Sequence, residues 1–257
     1  MDIKGKTAIV TGAASGIGRA TAIRLAEHGA AKVHIVDIDV AGMAETAGFV
    51  RQASAIAEVH RLDLSDIGAL EEWLGSLRDY DILFNNAGVV AGVPQFPQAS
   101  IERIGFIVDL NLTAMIVATQ IAAQAMQGRG GGVVINTIST VALGRGFSDV
   151  LYASTKAGAM MFTRCCAPLK DSHQVRVAGV LPGLTNTPIL KKTGADGDYA
   201  PWMAPILAGN AMCAPQDIAE AVTDLIEDDD LPGGDWVAVR RIDGEIVRQW
   251  GHDEARD

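Results

Sequence analysis

The chain has 257 residues, a formal net charge of −10 and 28 glycines, enough to bury the core of one large domain and too acidic for nucleic acid or an anionic membrane surface to be an expected partner. Aliphatic residues are plentiful and aromatic ones make up 5%, the composition of parallel strands buried on both faces between helices and glycine-bearing turns. Cys165, Cys166 and Cys213 follow no metal-ligand spacing and, being odd in number, cannot all pair, so they are expected to be reduced and buried in a cytoplasmic protein without a bound metal.

The start of the chain runs into a strand without the regions of a secretion signal, and no apolar run is expected to reach the ~18 residues of a membrane span. Residues 6–11 read as a buried strand, followed at once by Gly12-Ala-Ala-Ser15-Gly16-Ile17-Gly18, which opens an apolar-periodic helix over residues 17–28. A strand, a glycine turn and a helix N-terminus in that order suit a dinucleotide pyrophosphate: glycines allow close backbone approach, and the exposed N–H groups and helix dipole receive the charge. A second strand, residues 32–37, ends in Asp37, where a dinucleotide fold holds the adenosine ribose. Its carboxylate can accept from both ribose hydroxyls and would repel a 2′-phosphate, with Asp39 adding a second negative charge, so the expected cofactor is NAD and not NADP. The alternative is that Asp37 caps the helix beginning near Val40.

A third strand over residues 57–62 leads to Asp63 and Leu64. Ser65 or Asp66 suits the N-cap of the next helix, which leaves Asp63 as the candidate for touching the adenine amino group. A fourth strand, residues 80–84, ends in Asn85-Asn86-Ala87-Gly88, a tight turn against a flat ligand or, equally, a set of amides bracing the sheet. Two helical stretches follow, the second starting near Asn111, and residues 128–132 turn the chain into a fifth strand, residues 133–138, that delivers Ser139.

Tyr152 and Lys156 lie four residues apart in a long helix expected to run to about residue 170, so they share one face. An ammonium ~5 Å from a developing phenolate stabilises it by roughly 3 kcal/mol at an effective dielectric of about 20, or about two pKa units. A sixth strand, residues 175–181, ends in Pro182-Gly183. Periodicity then fails over residues 188–213, where apolar side chains mix with Gly and Pro; a segment this long is a candidate substrate lid, with a covering loop as the alternative. After a helix over residues 216–227, two alternating runs flank Asp243-Gly244, the signature of a hairpin over residues 235–250.

Thr11 to Gly18, Asp63-Leu64, Asn85 to Gly88, Asn111, Ser139, Tyr152 with Lys156, and Pro182-Gly183 occur in the order and spacing of the short-chain dehydrogenase/reductase family, which this chain resembles over residues 4–227. The resemblance implies an α/β, Rossmann-like doubly wound parallel sheet of about seven strands with helices on both faces, as a single domain over residues 1–257. It further implies that Tyr152 exchanges a proton with the substrate, that Ser139 holds the substrate oxygen, and that Lys156 acidifies Tyr152 and binds the nicotinamide ribose. Asn111 would distort its helix and hold a water touching Lys156. Residues Leu184 to Thr187 would pass the nicotinamide, with Thr187 reaching the carboxamide; Thr185 stands where an apolar residue is more usual.

Family members pair through the helices that follow Asn111 and Tyr152, which implies a homodimer or homotetramer. The C-terminal hairpin, with residues 225–229 and 130–136, is similar to the 15-hydroxyprostaglandin dehydrogenase branch. Val141, Leu143, Ile189, Leu190, Trp202, Met203, Ile206 and Leu207 offer an apolar lining, so the small-molecule substrate is expected to be a hydrophobic secondary alcohol or ketone. A sugar, polyol or acyl-thioester reductase is the runner-up, and a non-catalytic NAD-binding sensor or scaffold the reading from another class.

Overall fold

Runs of β-branched and aliphatic residues form the strands β1 (Thr7–Thr11), β2 (Lys32–Asp37), β3 (Ile56–Arg61), β4 (Ile82–Asn85), β5 (Gly132–Thr137), β6 (Val175–Pro182), β7 (Trp236–Ile242) and β8 (Glu245–Trp250). In this computed structural model the described residues are 1–144, 149–195, 197–209 and 212–254, and the side chains of Trp202, Pro205, Ile206 and Glu254 lie outside the description. The strands join one eight-stranded sheet in the order β3-β2-β1-β4-β5-β6-β7-β8. Pairing is parallel throughout except for β7 with β8, one strand more than the seven expected because the second arm of the C-terminal hairpin closes the edge. Its turn places Asp243 at φ 50° and Gly244 at φ 86°, the left-handed pair whose twist matches that of the flanking strands.

Helices α1 (Gly16–Glu27), α2 (Val40–Gln52) and α9 (Pro215–Glu227) cover one face of the sheet, and α3 (Ile67–Ser76) and α5 (Ala114–Met126) the other. Local capping explains where they begin. Asp39 accepts from the backbone N–H groups of Ala41 and Gly42 at the start of α2, and Asp66 from Ala69 at the start of α3, so Asp37 is not the cap. Helix α4 (Ile101–Val108), a π-helical turn (Asp109–Thr113) and α5 run on as one helix. Against expectation, this continuous 26-residue stretch is long and apolar enough to cross a bilayer by length and composition. The helical form joins apolar runs that Glu102, Arg103 and Asp109 interrupt in the sequence, and here Ala114, Met115, Ala118, Ala122, Ala123 and Met126 are buried.

Three other expectations are corrected. The helix carrying Tyr152, α6 (Val150–Cys165), stops before Pro168, and a short α7 (Leu169–His173) follows; proline lacks the N–H that would continue the ladder and clashes with the preceding turn. Cys165 is exposed while Cys166 and Cys213 are buried, all three as free thiols. Residues 188–213 are also more regular than expected: they form 3-10 turns at Pro188–Lys192 and Pro201–Met203 and a short α8 (Ala204–Gly209). Proline at the first position of both turns fixes φ where a missing N–H costs nothing. A last turn, α10 (Gly251–Glu254), ends the described chain.

A buried polar network ties strands to helices. Asn85 Nδ2 donates to Asn136 Oδ1 at 3.0 Å and to Thr119 Oγ1 at 3.2 Å, and Asn136 Nδ2 donates to Thr163 Oγ1 at 3.0 Å. Asn85 thus takes the bracing role and links β4, β5, α5 and α6. Thr163→Val keeps the shape but leaves the buried Asn136 amide without its acceptor, and is expected to destabilise by about 1–3 kcal/mol in chemical denaturation. A loss below about 0.5 kcal/mol, the range of neutral substitutions, would show that the network contributes little.

Candidate active site

The strand order reverses between β1 and β4, and in such sheets the loops leaving the carboxyl ends of those two strands part to form a crevice. The glycine turn after β1 is tight because the chain packs on itself. A Cβ on Gly18 would lie 2.1 Å from the Gly12 carbonyl oxygen, and one on Gly12, held at φ 65°, would lie 2.9 Å from Ala87 Cα. Gly18 therefore sits beneath the turn and outside the cavity lining, while Gly12, Ser15, Gly16 and Ile17 line a cavity of about 720 Å³. Ser15 is the N-cap of α1 but makes no side-chain capping bond, which leaves the first-turn N–H groups of that helix open to an anion.

Asp37 stands at one end of the cavity with its carboxylate oriented by the backbone: Oδ2 accepts from Ala14 at 3.0 Å, and Oδ1 from Ile38 at 2.7 Å and Asp39 at 3.1 Å. Asp63 and Leu64 follow along the wall, Asp63 Oδ1 being taken by the Ser65 N–H and hydroxyl. Asn86, Ala87 and Gly88 cross the floor. The Thr11 hydroxyl accepts from the N–H groups of Asn86 and Ala87 at 2.9 and 3.1 Å, which ties the β4 turn to the end of β1. Pro182, Gly183, Leu184, Thr185 and Thr187 close the far side, the Thr187 methyl lying 3.1 Å from where a Gly16 Cβ would stand.

Tyr152 and Lys156 share one face of α6 and both line the cavity, with Ser139 opposite at the end of β5. The Tyr152 hydroxyl is hydrogen-bonded to Ser139, and burial pushes the phenol up to about 12, against the pull of that bond and with help from the Asp149 carboxylate. The lowering expected from Lys156 is not what acts on the phenol: the downward pull comes from Ser139, and burial exceeds it. Lys156 Nζ lies 5.7 Å from the Tyr152 ring centroid and donates to the Thr137 carbonyl at 2.8 Å. Its own burial brings it down to about 8, since a cation loses its hydration there just as a phenolate does.

Asn111 lies in the π-helical turn, the helix distortion that was expected, but its side chain is committed elsewhere. Oδ1 accepts from Val89 N–H at 2.8 Å, and Nδ2 donates to Val89 O at 2.8 Å and Thr155 Oγ1 at 3.3 Å. It stands behind the cavity wall and pins the loop against Lys156: a Cβ on Gly88 would meet Asn111 Oδ1 at 3.1 Å and Lys156 Nζ at 3.7 Å.

Among the apolar residues expected at the substrate end, Val141, Ile189, Leu190 and Met203 line the cavity. Leu143 packs instead against the cluster of Met115, Ile138, Leu181 and Trp236, because the 3-10 turn Thr140–Leu143 rotates it away from Val141. Leu207 is half-buried outside the lining, and the side chains of Trp202 and Ile206 lie outside the described residues.

Sequence reasoning missed two groups. Asp149 is 1% exposed and caps α6, accepting from Tyr152 N–H at 3.0 Å and Ala91 N–H at 2.8 Å; an Asp directly before the helix and three residues ahead of Tyr152 was a readable signal. Lys192, Arg240 and Arg241 bring positive charge to the lining, which no periodicity reveals, since it depends on the 3-10 turn that carries Lys192 and on β7, with both arginines, pairing beside β6.

Lys156→Met tests the burial of the ammonium. A folded value near 8 against an ordinary 10.5 means that the unfolded chain binds more protons between those values, so this group's contribution is full above 10.5 and lost as pH falls through 8. The variant should thus melt about 2–4 °C higher at pH 7 for each kcal/mol of desolvation relieved, with the difference from wild type closing between pH 8 and 10.5. A lower melting temperature at pH 7 would mean that the Thr137 bond outweighs desolvation.

Residues 6–198 match the family model described as short chain dehydrogenase. The chain is 32% identical to cis-4-hydroxycyclohexanecarboxylate dehydrogenase of Sinomonas cyclohexanicum, over 87% of this chain and 90% of that protein. Its fold is similar to that of carveol dehydrogenase from Mycobacterium avium in complex with NAD (TM-score 0.78, 25% identity, 89% of this chain and 93% of that one). It is also similar to L-sorbose reductase from Gluconobacter frateurii complexed with NADPH and L-sorbose (TM-score 0.77, 27% identity, 89% and 92%). Carrying the glycine turn, the switch-point cavity and this breadth of match, the chain belongs to the short-chain dehydrogenase family of oxidoreductases.

Proposed function

We propose that this protein is an NAD-dependent dehydrogenase that interconverts a hydrophobic secondary alcohol and its ketone, with Tyr152 as the proton-exchanging group. One observation carries the reading: the hydrogen-bonded hydroxyls of Tyr152 and Ser139 and the buried Lys156 ammonium face the same cavity as the open N-terminus of α1. The cofactor, when bound, accepts or supplies the hydride. Ser15, Gly16 and Ile17 hold its pyrophosphate, Asp37 the adenosine ribose, Asp63 the adenine, Asn86 to Gly88 its floor, and Pro182 to Thr187 with Lys156 the nicotinamide half. Ser139 fixes the substrate oxygen by hydrogen bonding, and Tyr152 takes up or returns its proton. A phenol held protonated by burial is ready to donate in ketone reduction. Lys156, whose own value approaches neutrality, supplies the cation that steadies Tyr152 when it ionises. Asn111 acts on Lys156 through Val89 and Gly88.

The preference for NAD rests on charge. A 2′-phosphate beside Asp37 would meet Asp39 as well, and Arg19, the cation on the adjoining turn, is already engaged with Ala14 O and with Glu45 at 2.7 Å. Val141, Ile189, Leu190 and Met203 support an apolar substrate. A refinement is favoured by Arg240, which lines the cavity while bonding a neutral amide, Gln249 Oε1 at 2.9 Å: the apolar alcohol carries a carboxylate, as does the compound for which the Sinomonas relative is named. Pairing through α5 and α6 into a dimer or tetramer fits the exposed Val150 and Met161 of α6, and the free thiols fit the cytoplasm.

Purified protein with NAD should oxidise cyclic and aryl secondary alcohols with kcat/KM rising as carbons are added, and rising again when a distal carboxylate is present. Preference for a polyol over every apolar alcohol would sink the substrate reading. Tyr152→Phe keeps the ring and removes the proton, so turnover should fall by at least ~100-fold while NAD affinity, read by nucleotide titration, stays within about twofold. Ordinary turnover in that variant would end the mechanism. Asp37→Ser should weaken NAD and admit NADP, since it removes both an acceptor for the ribose and a repulsive charge; wild-type preference for NADP would show the assignment to be wrong.

A further inference from the structure

At the β3 edge of the sheet, three side chains converge that the proposed reaction leaves unused. β2 and β3 pair in parallel with His34 opposite Glu58 and Val36 opposite His60, so the period-two alternation of strands sets His34, Glu58 and His60 on one face. His34 Nδ1 lies 2.9 Å from His60 Nε2 and 3.4 Å from Glu58 Oε2, and His60 Nε2 lies 3.9 Å from the same oxygen. Two imidazole nitrogens and a carboxylate oxygen bound to Zn²⁺ at ~2.0–2.2 Å are separated by roughly 3.3–3.5 Å around a tetrahedron. The observed separations straddle that edge length. Glu58 is oriented for the purpose, its other oxygen Oε1 being held by Lys32 Nζ at 2.8 Å, and outer partners of this kind fix a ligand's direction.

One neighbour opposes a metal. Trp73 Nε1, which can only donate, gives a hydrogen bond to His60 Nδ1 at 3.2 Å. His60 must then carry its proton on Nε2, which donates to His34 Nδ1. A cation at Nε2 requires that proton to move to Nδ1, where it would face the indole N–H, two donors with no acceptor between them. The indole has to turn away for the ion to enter, with no net change in protonation.

We propose that His34, Glu58 and His60 form a binding site for a borderline-soft divalent cation of the Zn²⁺ type, with an open fourth position, and that Trp73 sets its affinity by holding His60 in the wrong tautomer. The site ties the edge strand β3 to β2, three residues before Asp37 and Asp63 at the cavity. Hard cations are not expected there, because they take six or more oxygen ligands, ~6–8 for Ca²⁺.

Chelator-stripped protein titrated with ZnCl₂ in a calorimeter should show one site with Kd of about 10 µM or tighter, and Tm should rise by roughly 5–10 °C at ~100-fold excess over Kd. MgCl₂ should leave Tm unmoved. His60→Gln and, independently, Glu58→Gln should each weaken binding by about tenfold or more, whereas Trp73→Phe should tighten it by about tenfold, the size of effect an outer partner exerts. The zinc-dependent change in indole emission should vanish in Trp73→Phe. No binding up to ~1 mM Zn²⁺, equal stabilisation by Mg²⁺, affinity unchanged in both Gln variants, or weaker binding in Trp73→Phe would each overturn the proposal.

Discussion

The buried ammonium of Lys156 is the constraint around which the cavity is built. At 2% exposure, with a backbone carbonyl as its hydrogen-bond acceptor, it retains a charge in a place where charge is expensive. Several departures from regular structure serve that position. The helix widens into a π turn at Asn111 so that the amide can grip Val89, Gly88 leaves no side chain between them, and β5 ends at Thr137 with its carbonyl turned to Nζ. Irregular helix of this kind is disfavoured unless something fixes it, and it gathers at functional sites.

The phenol four residues earlier on α6 is held under opposing influences. Burial and Asp149 keep Tyr152 protonated, and Ser139 favours the ionised form. Asp149 does double duty, since the carboxylate that resists phenolate formation is also the cap that starts α6 and the acceptor that anchors Ala91. The same cap therefore fixes where the tyrosine stands and how readily it gives up its proton. A neutral cap would loosen the second effect only at some loss to the first.

Most of the frame was legible because it is written in local chemistry. The strand, glycine turn and helix over residues 7–27, the cap at Asp66, and the Asp243-Gly244 hairpin each depend on neighbours a few residues apart, whereas the cap at Asp39 was just as local and had been offered to Asp37 instead. The stop before Pro168 was equally local and was overlooked. What could not be read depends on distance in the chain. A Coulomb argument for Tyr152 and Lys156 counts the attraction between two groups on one helix, but not their burial by parts of the chain distant in sequence, and burial is the largest cause of the shift at both. Gly18 looked like a contact for a ligand and proves to be required by the Gly12 carbonyl. Leu143 was apolar and near Ser139, yet the 3-10 turn leaves it half-buried against a core cluster instead of in the cavity lining.

The positively charged part of the lining shows why an apolar pattern and a charged one need not compete. Lys192 lies at the end of the 3-10 turn that carries Ile189 and Leu190, and Arg240 lies beside Gly183, with Arg240 Cγ 3.4 Å from where a Cβ on that glycine would stand. Long cationic side chains lay methylene stems along apolar surface and keep their heads in the wetter region. Lys192 and Arg240 line the same cavity as Val141 and Met203, so that apolar surface and positive charge share one lining. On the proposed substrate reading, a polyol would waste the apolar wall, and a plain hydrocarbon alcohol would strip water from the charged heads without compensating them, a cost that would select against it. The proposed substrate, an apolar body ending in an acid, would meet both demands at once. Discrimination of that kind follows from the polar groups that a wrong substrate leaves unpaired, more than from any extra attraction the right one enjoys.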